Sequence, residues 1–244
     1  MCTVTYVPTS RGFVLTHNRD EVPERSAATL VVENTHKQRL LFPRDPLAGG
    51  TWMALSDRGF TACLLNGAFL KHRRTPPYRL SRGVLLLDLV RSSEPLVHLA
   101  AYDLAGIEPF TLVYADFYRL VEFRWDGRNR HLRHLPPRQP HLWASATLYE
   151  PPMLEQRRES LLRWLERHRQ PSPSGLRHLH LRNNPDDPES TFYMRSHDRI
   201  RTVSLTQVAF GPNHLCLYYR DLLHEEQLLK KTLKYKKNPI QEVT

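Results

Sequence analysis

Residues 2–21 constrain this chain more than any other segment. Cys2 to Val7 alternate along the chain, Pro8 to Gly12 supply turn chemistry, and Phe13 to His17 alternate again, which is the pattern of an antiparallel hairpin. A turn centred near Ser10 and Arg11 sets Cys2 opposite Arg19, Val4 opposite His17 and Tyr6 opposite Leu15. Such a ribbon brings the start of the chain and the run Asn18-Arg19-Asp20-Glu21 to the same end.

The remainder of the 244 residues reads as further paired strands interrupted by amphipathic helices. Thr51 to Leu55 and Phe60 to Leu65 flank the turn Ser56-Asp57-Arg58-Gly59, and Asn66-Gly67 ends the return strand. Cys63 within that apolar strand reads as a packed small hydrophobe rather than a reactive thiol. Gly83 to Val90, preceded by Ser81, and Pro95 to Leu104 have helical spacing and are expected to cover one face of a sheet. Phe110 to Ala115, Tyr118 to Trp125 and Asn129 to Leu135 form a meander, and Pro151-Pro152 open an amphipathic helix to about His168. Thr202 to Phe210 and His214 to Tyr219 pair around Gly211-Pro212-Asn213, and Asp221 to Leu229 reads as helix before a basic tail from about residue 230. Strands, a helix block, more strands and another helix, without βαβ repeats, predict an α+β fold in packed layers, as a single domain over residues 1–244.

Composition removes several classes of function. A formal charge of +10 raises the question of nucleic acid, but the cations are dispersed, apart from Lys230, Lys231, Lys234, Lys236 and Lys237 in the expected solvated tail. No nucleic-acid partner is therefore expected. Three separated cysteines without a CxxC pair argue against a disulfide framework and a cysteine zinc site. His178-Leu179-His180 would present two imidazoles on one face of a strand, yet no acidic or cysteine partner stands at ligand spacing, so neither a metal nor a cofactor is expected. Apolar runs such as Val84 to Val90 are far shorter than the roughly 20 residues of a membrane-spanning helix, and no basic segment followed by an apolar one opens the chain, so the expected location is the cytoplasm.

Cys2 is the residue with distinctive chemistry. A small second residue directs removal of Met1, which leaves Cys2 with a free α-amine. An α-amine titrates at about 7.7 to 8.0 and a thiol at about 8.5, so one residue holds a nucleophile and a base suited to it. Arg19 across the hairpin favours the thiolate, and Asp20 is placed to orient the amine. Tyr6, His17 and Glu21 either line the same site or, for Tyr6 and His17, belong to the core.

The opening Met1-Cys2-Thr3, the run Asn18-Arg19-Asp20-Glu21, and Ala48-Gly49-Gly50-Thr51-Trp52 before a strand together resemble the Asn-Arg-Asp-Glu family, which includes the transport and Golgi organisation 2 proteins. The likeness continues through Arg58-Gly59-Phe60 and Leu65-Asn66-Gly67, and more weakly to Arg201-Thr202-Val203-Ser204. That family is similar in turn to the N-terminal-nucleophile hydrolases of linear amides. The resemblance implies a four-layer αββα sandwich in which Cys2 attacks the acyl carbon, Arg19 and Asp20 hold nucleophile and substrate, Asn66 contributes to an oxyanion hole and Arg201 is a second active-site arginine. Asn18, Glu21 and Ser145 would contact the substrate, a small molecule with an amide or thioester. Ser145 stands where the amidase relatives carry a second catalytic asparagine, and its hydroxyl offers one donor in a different geometry. Asn183 or Asn184 would be its substitute, although Asn-Asn-Pro-Asp-Asp-Pro reads most simply as a turn. The resemblance also implies a reading of another class, a carrier of haem or of lipid and acyl-coenzyme A that reuses the pocket without turnover.

Overall fold

The computed structural model describes residues 2–26, 29–148, 151–183, 191–194, 199–212, 214–224 and 228–235. Strands β1 (Cys2–Thr9) and β2 (Gly12–Glu21) form the N-terminal hairpin. A short 3-10 turn (Pro23–Arg25) leads to β3 (Leu30–Asn34), β4 (Arg39–Pro43), β5 (Met53–Ser56) and β6 (Phe60–Asn66). Helices α1 (Arg82–Arg91) and α2 (Pro95–Ala101) follow. Next come β7 (Phe110–Asp116), β8 (Leu120–Trp125), β9 (Arg130–Leu135) and β10 (His141–Ala144). Helices α3 (Pro151–Arg167) and α4 (Pro173–Leu181) precede β11 (Arg201–Phe210), β12 (His214–Asp221) and β13 (Leu228–Lys234).

The strands form two antiparallel sheets, one ordered β10-β1-β2-β11-β12-β13 and the other β3-β4-β5-β6-β7-β8-β9. Strand alternation sorts side chains between three cores. Val4, Tyr6, Phe13 and Leu15 of the first sheet meet Met53, Leu55, Cys63, Leu65 and Val113 of the second. The outer face of the second sheet buries Ala62, Leu64, Leu112 and Tyr114 against Leu85, Leu86, Leu89 and Val90 of α1. The outer face of the first sheet buries Val7 and Val14 against Leu161 of α3 and Leu176 and Leu179 of α4. The result is the expected α+β sandwich in αββα layers. No helix among the described residues is long and apolar enough to cross a membrane.

The first hairpin has the expected register, with Cys2 opposite Arg19, Val4 opposite His17 and Tyr6 opposite Leu15. The C-terminal end differs. Of the segment expected to be helical from Asp221 to Leu229, Asp221 ends β12, residues 222–224 form a bend and Leu228 and Leu229 open β13, while 225–227 lie outside the described residues. Lys230, Lys231 and Lys234 lie in β13, which pairs with β12, rather than in a solvated tail. Leu229 and Leu233, four residues apart, fit the spacing of a strand as well as that of a helix, and both pack into the inter-sheet core. Lysines on this edge strand discourage pairing with another chain. Lys236 and Lys237 lie outside the described residues. The stretch His178-Leu179-His180 is helical, within α4, so the two-imidazole strand face does not form, and no cluster of possible metal ligands occurs among the described residues. Strands β3, β4 and β10 carry no clear alternation and emerge only in the assembled sheets.

Candidate active site

Cys2 begins β1 on the face directed at the second sheet, only 5% exposed, at the wall of a cavity of about 380 Å³. The cavity lies at the ends of β2 and β6 and is closed by the loop before β5 and by the approach to α1. Arg19, Glu21, Asp45, Trp52 and Asn66 share its lining with Arg74, Tyr78, Arg82 and Glu108.

Arg19 is held on three sides. Its guanidinium carbon sits 4.1 Å from the centre of the Trp52 ring, Nη2 lies 2.6 Å from Asp45 Oδ2, and Nη1 donates to the Arg25 carbonyl. Trp52 is fixed in turn by its indole N–H, which donates to Thr206 Oγ1 at 3.0 Å. Asp45 Oδ1 accepts the Leu47 and Ala48 N–H groups, and Oδ2 also accepts Arg25 Nη2 at 2.6 Å. Burial works against the ionised Asp45, but the Ala48 N–H, Arg25 and Arg19 outweigh it and hold the carboxyl below its ordinary range. Glu21 binds Arg25 at 2.7 Å. The cations of this wall are therefore matched by carboxylates.

The glycines of the Ala48-Gly49-Gly50-Thr51-Trp52 run explain how that wall approaches α1. A Cβ on Gly50 would strike the Gly83 carbonyl carbon and the Val84 nitrogen, and the Thr51 N–H donates to Gly83 O at 3.1 Å. Only backbone fits between them. Gly67, at φ +81°, turns the chain immediately after Asn66, where the Gly67 N–H meets Pro109 O at 3.0 Å. Asn66 therefore stands at the strand end beside the cavity, and its side-chain amide makes no hydrogen bond among the described residues.

Burial pushes the Cys2 thiol up from its ordinary value, Asp20 adds to the rise and Arg19 opposes it. Cys63, fully buried behind it, is raised by the same desolvation and plays the packing role expected of it.

The structure brings Cys2, Arg19, Glu21 and Asn66 to one cavity and places the other expected site residues outside its lining. Asn18 and Asp20 alternate with Arg19 and face the helices. Asn18 Nδ2 donates to the carbonyls of His180 (2.8 Å) and Phe192 (2.7 Å), and its Oδ1 lies 3.1 Å from His180 Nδ1. Asp20 accepts the Thr202 hydroxyl at 2.6 Å. Arg201 is exposed at the start of β11, opposite Glu21. Ser145 is fully buried: its N–H donates to the Cys2 carbonyl at 2.9 Å and its hydroxyl to the Asn66 carbonyl at 2.8 Å. Tyr6 and His17 are core residues.

Sequence reasoning missed Asp45, Arg25, Arg74, Arg82 and Glu108. Asp45 lies three residues before the glycine-containing run and carried a weak signal; the others stand in loops or at a helix start, where no period marks them.

The chain is a four-layer αββα sandwich whose first strand opens on a cysteine beside a cavity. Solved structures share the arrangement: an N-acylethanolamine-hydrolyzing acid amidase ortholog of Caenorhabditis elegans matches with a TM-score of 0.53 and 11% identity over 84% of this chain and 92% of that one. A variant of the conjugated bile acid hydrolase of Clostridium perfringens matches with a TM-score of 0.54 and 10% identity over 97% of both chains. No curated protein sequence matches the chain. The chain belongs to the transport and Golgi organisation 2 family, whose model matches residues 1–208.

Proposed function

We propose that the protein is an amidohydrolase or acyltransferase that uses Cys2, with Met1 removed, as its nucleophile on a small linear amide or thioester. The observation that carries this reading is the convergence on one cavity of Cys2, Arg19 and Asn66, whose side chain makes no hydrogen bond among the described residues. The α-amine of Cys2 takes the thiol proton, and the sulfur attacks the acyl carbon. Arg19 favours the thiolate against the desolvation that opposes it. The Asn66 amide donates to the developing oxyanion, a contact typically worth about 2.7 to 4 kcal/mol in the transition state. Collapse of the tetrahedral intermediate breaks the bond to the amine or thiol, which leaves with the proton held by the α-amine. Water or an acceptor nucleophile then takes the acyl group from sulfur.

Asp20 and Arg201 enter this reading as positioning residues, Asp20 through Thr202 and the adjacent strand, Arg201 from its register position opposite Glu21. Asn18 fixes the same strand from behind. The test is intact mass followed by labelling. Loss of Met1, preferential reaction of Cys2 over Cys63 and Cys216 with an electrophile at neutral pH, and turnover of short acyl amides that Cys2→Ala abolishes are expected. Retention of Met1 would overturn the mechanism.

One observation favours the non-enzymatic alternative. The Ser145 hydroxyl is spent on the Asn66 carbonyl, so it supplies no second oxyanion donor. A carrier of haem or of an acyl-coenzyme A would use the same cavity, where Cys2 and Tyr78 are residues of the types that ligate haem iron. Soret titration of wild type and Cys2→Ala separates the two: tight one-to-one binding without turnover supports the carrier.

A further inference from the structure

Charge is unevenly distributed around the cavity. On the side of β2, Arg19 and Arg25 face Asp45 and Glu21, two cations against two carboxylates. On the side of α1, Arg74 and Arg82 share one carboxylate among the described residues, that of Glu108. Arg82 Nη2 lies 3.0 Å from Glu108 Oε2 and Nη1 donates to the Pro109 carbonyl at 3.0 Å, while Arg74 Nε lies 3.4 Å from Glu108 Oε1. His72 also reaches that oxygen, at 3.1 Å. Glu108 is thus crowded with donors, and the two guanidiniums retain N–H groups beyond those it accepts.

Two further features add to this surplus. Ser81, Arg82 and Gly83 line the cavity with the first turn of α1, which contains no acidic residue to offset the positive end of the helix. The Arg82 side chain is 15% exposed, so solvent screens its charge poorly, whereas that of Arg74 is 74% exposed. Cys2 and Arg82 line the same cavity.

We propose that the α1 wall, formed by Arg82 with Arg74, is the recognition subsite for a carboxylate carried by the substrate whose acyl carbon meets Cys2. The inference rests on the reading of Cys2 as nucleophile. It makes the substrate an acyl amide or thioester with an anionic group reaching the α1 side of the cavity.

The test uses two small alkylating reagents that differ in charge, iodoacetate and iodoacetamide, with the full chain at pH 7.5 and peptide mass mapping of Cys2. The ratio of the two rates is compared with the ratio for the same cysteine in the urea-unfolded chain. Folding should shift that ratio toward iodoacetate by roughly tenfold, as one charge-assisted contact supplies. Arg82→Gln and Arg74→Gln should lower the shift, and Glu108→Gln, which frees both guanidiniums, should raise it. Arg74 is exposed, so its variant keeps the test valid should Arg82→Gln fail to fold. Labelling of Cys2 by both reagents with no shift on folding, or a shift that neither arginine variant changes, overturns the subsite and leaves the nucleophile reading standing. A folded chain whose Cys2 reacts with neither reagent overturns the nucleophile reading and the subsite with it.

Discussion

Lowering the pH from 7.5 to 5.0 should destabilise this protein through two buried imidazoles. His17 and His180 are both fully buried, and desolvation pushes each down from 6.5 to about 3, with Arg19 adding to the effect on His17, and His17 and then Arg157 to that on His180. Above pH 6.5 both residues are neutral in the folded and unfolded chains, and stability does not depend on them. Between 6.5 and 3 the unfolded chain takes up protons that the folded chain refuses, so stability falls as the pH falls. Carried to pH 5.0, the difference is about 2 kcal/mol for each histidine and about 4 kcal/mol together. Carboxylates such as Asp45, Glu122 and Asp221 are held below ordinary values of 3.8 to 4.5, so their stabilisation is lost mainly below this window. Against a typical total of about 5 to 15 kcal/mol, the effect is large. Urea unfolding followed by tryptophan fluorescence at pH 7.5, 6.5, 5.5 and 5.0 measures it. His17→Leu should halve the slope without lowering stability at pH 7.5, because neither His17 ring nitrogen has a hydrogen-bond partner among the described residues. Unfolding free energies that stay level from pH 7.5 to 5.0, or a wild-type slope retained in His17→Leu, would refute the reasoning.

Asn18→Ala should cost about 3 kcal/mol in urea unfolding, since it strands the His180 and Phe192 carbonyls and the His180 imidazole in a buried site. A loss under 1 kcal/mol would show that the clamp relaxes, by the same scale. Gly50→Ala should destabilise by about 1 to 3 kcal/mol and displace the loop from α1, measured as a lower melting temperature with altered Cys2 labelling. An unchanged melting temperature would contradict the backbone contact with Gly83.

The parts of this fold that were legible in sequence share a clean period or an unambiguous turn. Residues 2–17 alternate around a single turn, which leaves one register that buries Val4, Tyr6, Phe13 and Leu15 together. Ser81 announces α1 because its side chain accepts the Val84 N–H. The run Asn18-Arg19-Asp20-Glu21 was visible as a unit, but strand alternation divides it: Arg19 and Glu21 line the cavity, whereas Asn18 and Asp20 hold the helix side of the sheet. The wall built from Arg74, Arg82 and Glu108 had no sequence signal, since those residues meet only when the loop after β6, the start of α1 and the approach to β7 close on one another. His180 misled for a local reason. Its spacing from His178 suggested a strand face, yet Ser172 caps a helix there, and the imidazole of His180 enters the core to meet Thr5 and Asn18.

Ser145 shows how one small residue can tie the two halves of the site together. Its backbone N–H holds the carbonyl of Cys2 in the first sheet, and its hydroxyl holds the carbonyl of Asn66 in the second. The proposed nucleophile and the proposed oxyanion donor are therefore spaced by a single fully buried residue. Ser145→Ala keeps the bond to Cys2 and removes the one to Asn66, so it should cost about 1 to 2 kcal/mol of stability and slow any turnover through kcat with KM little changed. Ser145→Asn inserts a larger side chain where the serine has no exposed surface, so overpacking should add about 1 to 3 kcal/mol of destabilisation. The kinetics separate two roles for this position. If an asparagine here supplied the missing oxyanion donor, kcat would rise despite the lost stability; if Ser145 serves as the spacer described, both variants lower kcat. Denaturant unfolding alongside steady-state kinetics on an acyl amide distinguishes the outcomes, and a rise in kcat for Ser145→Asn would refute the spacer role.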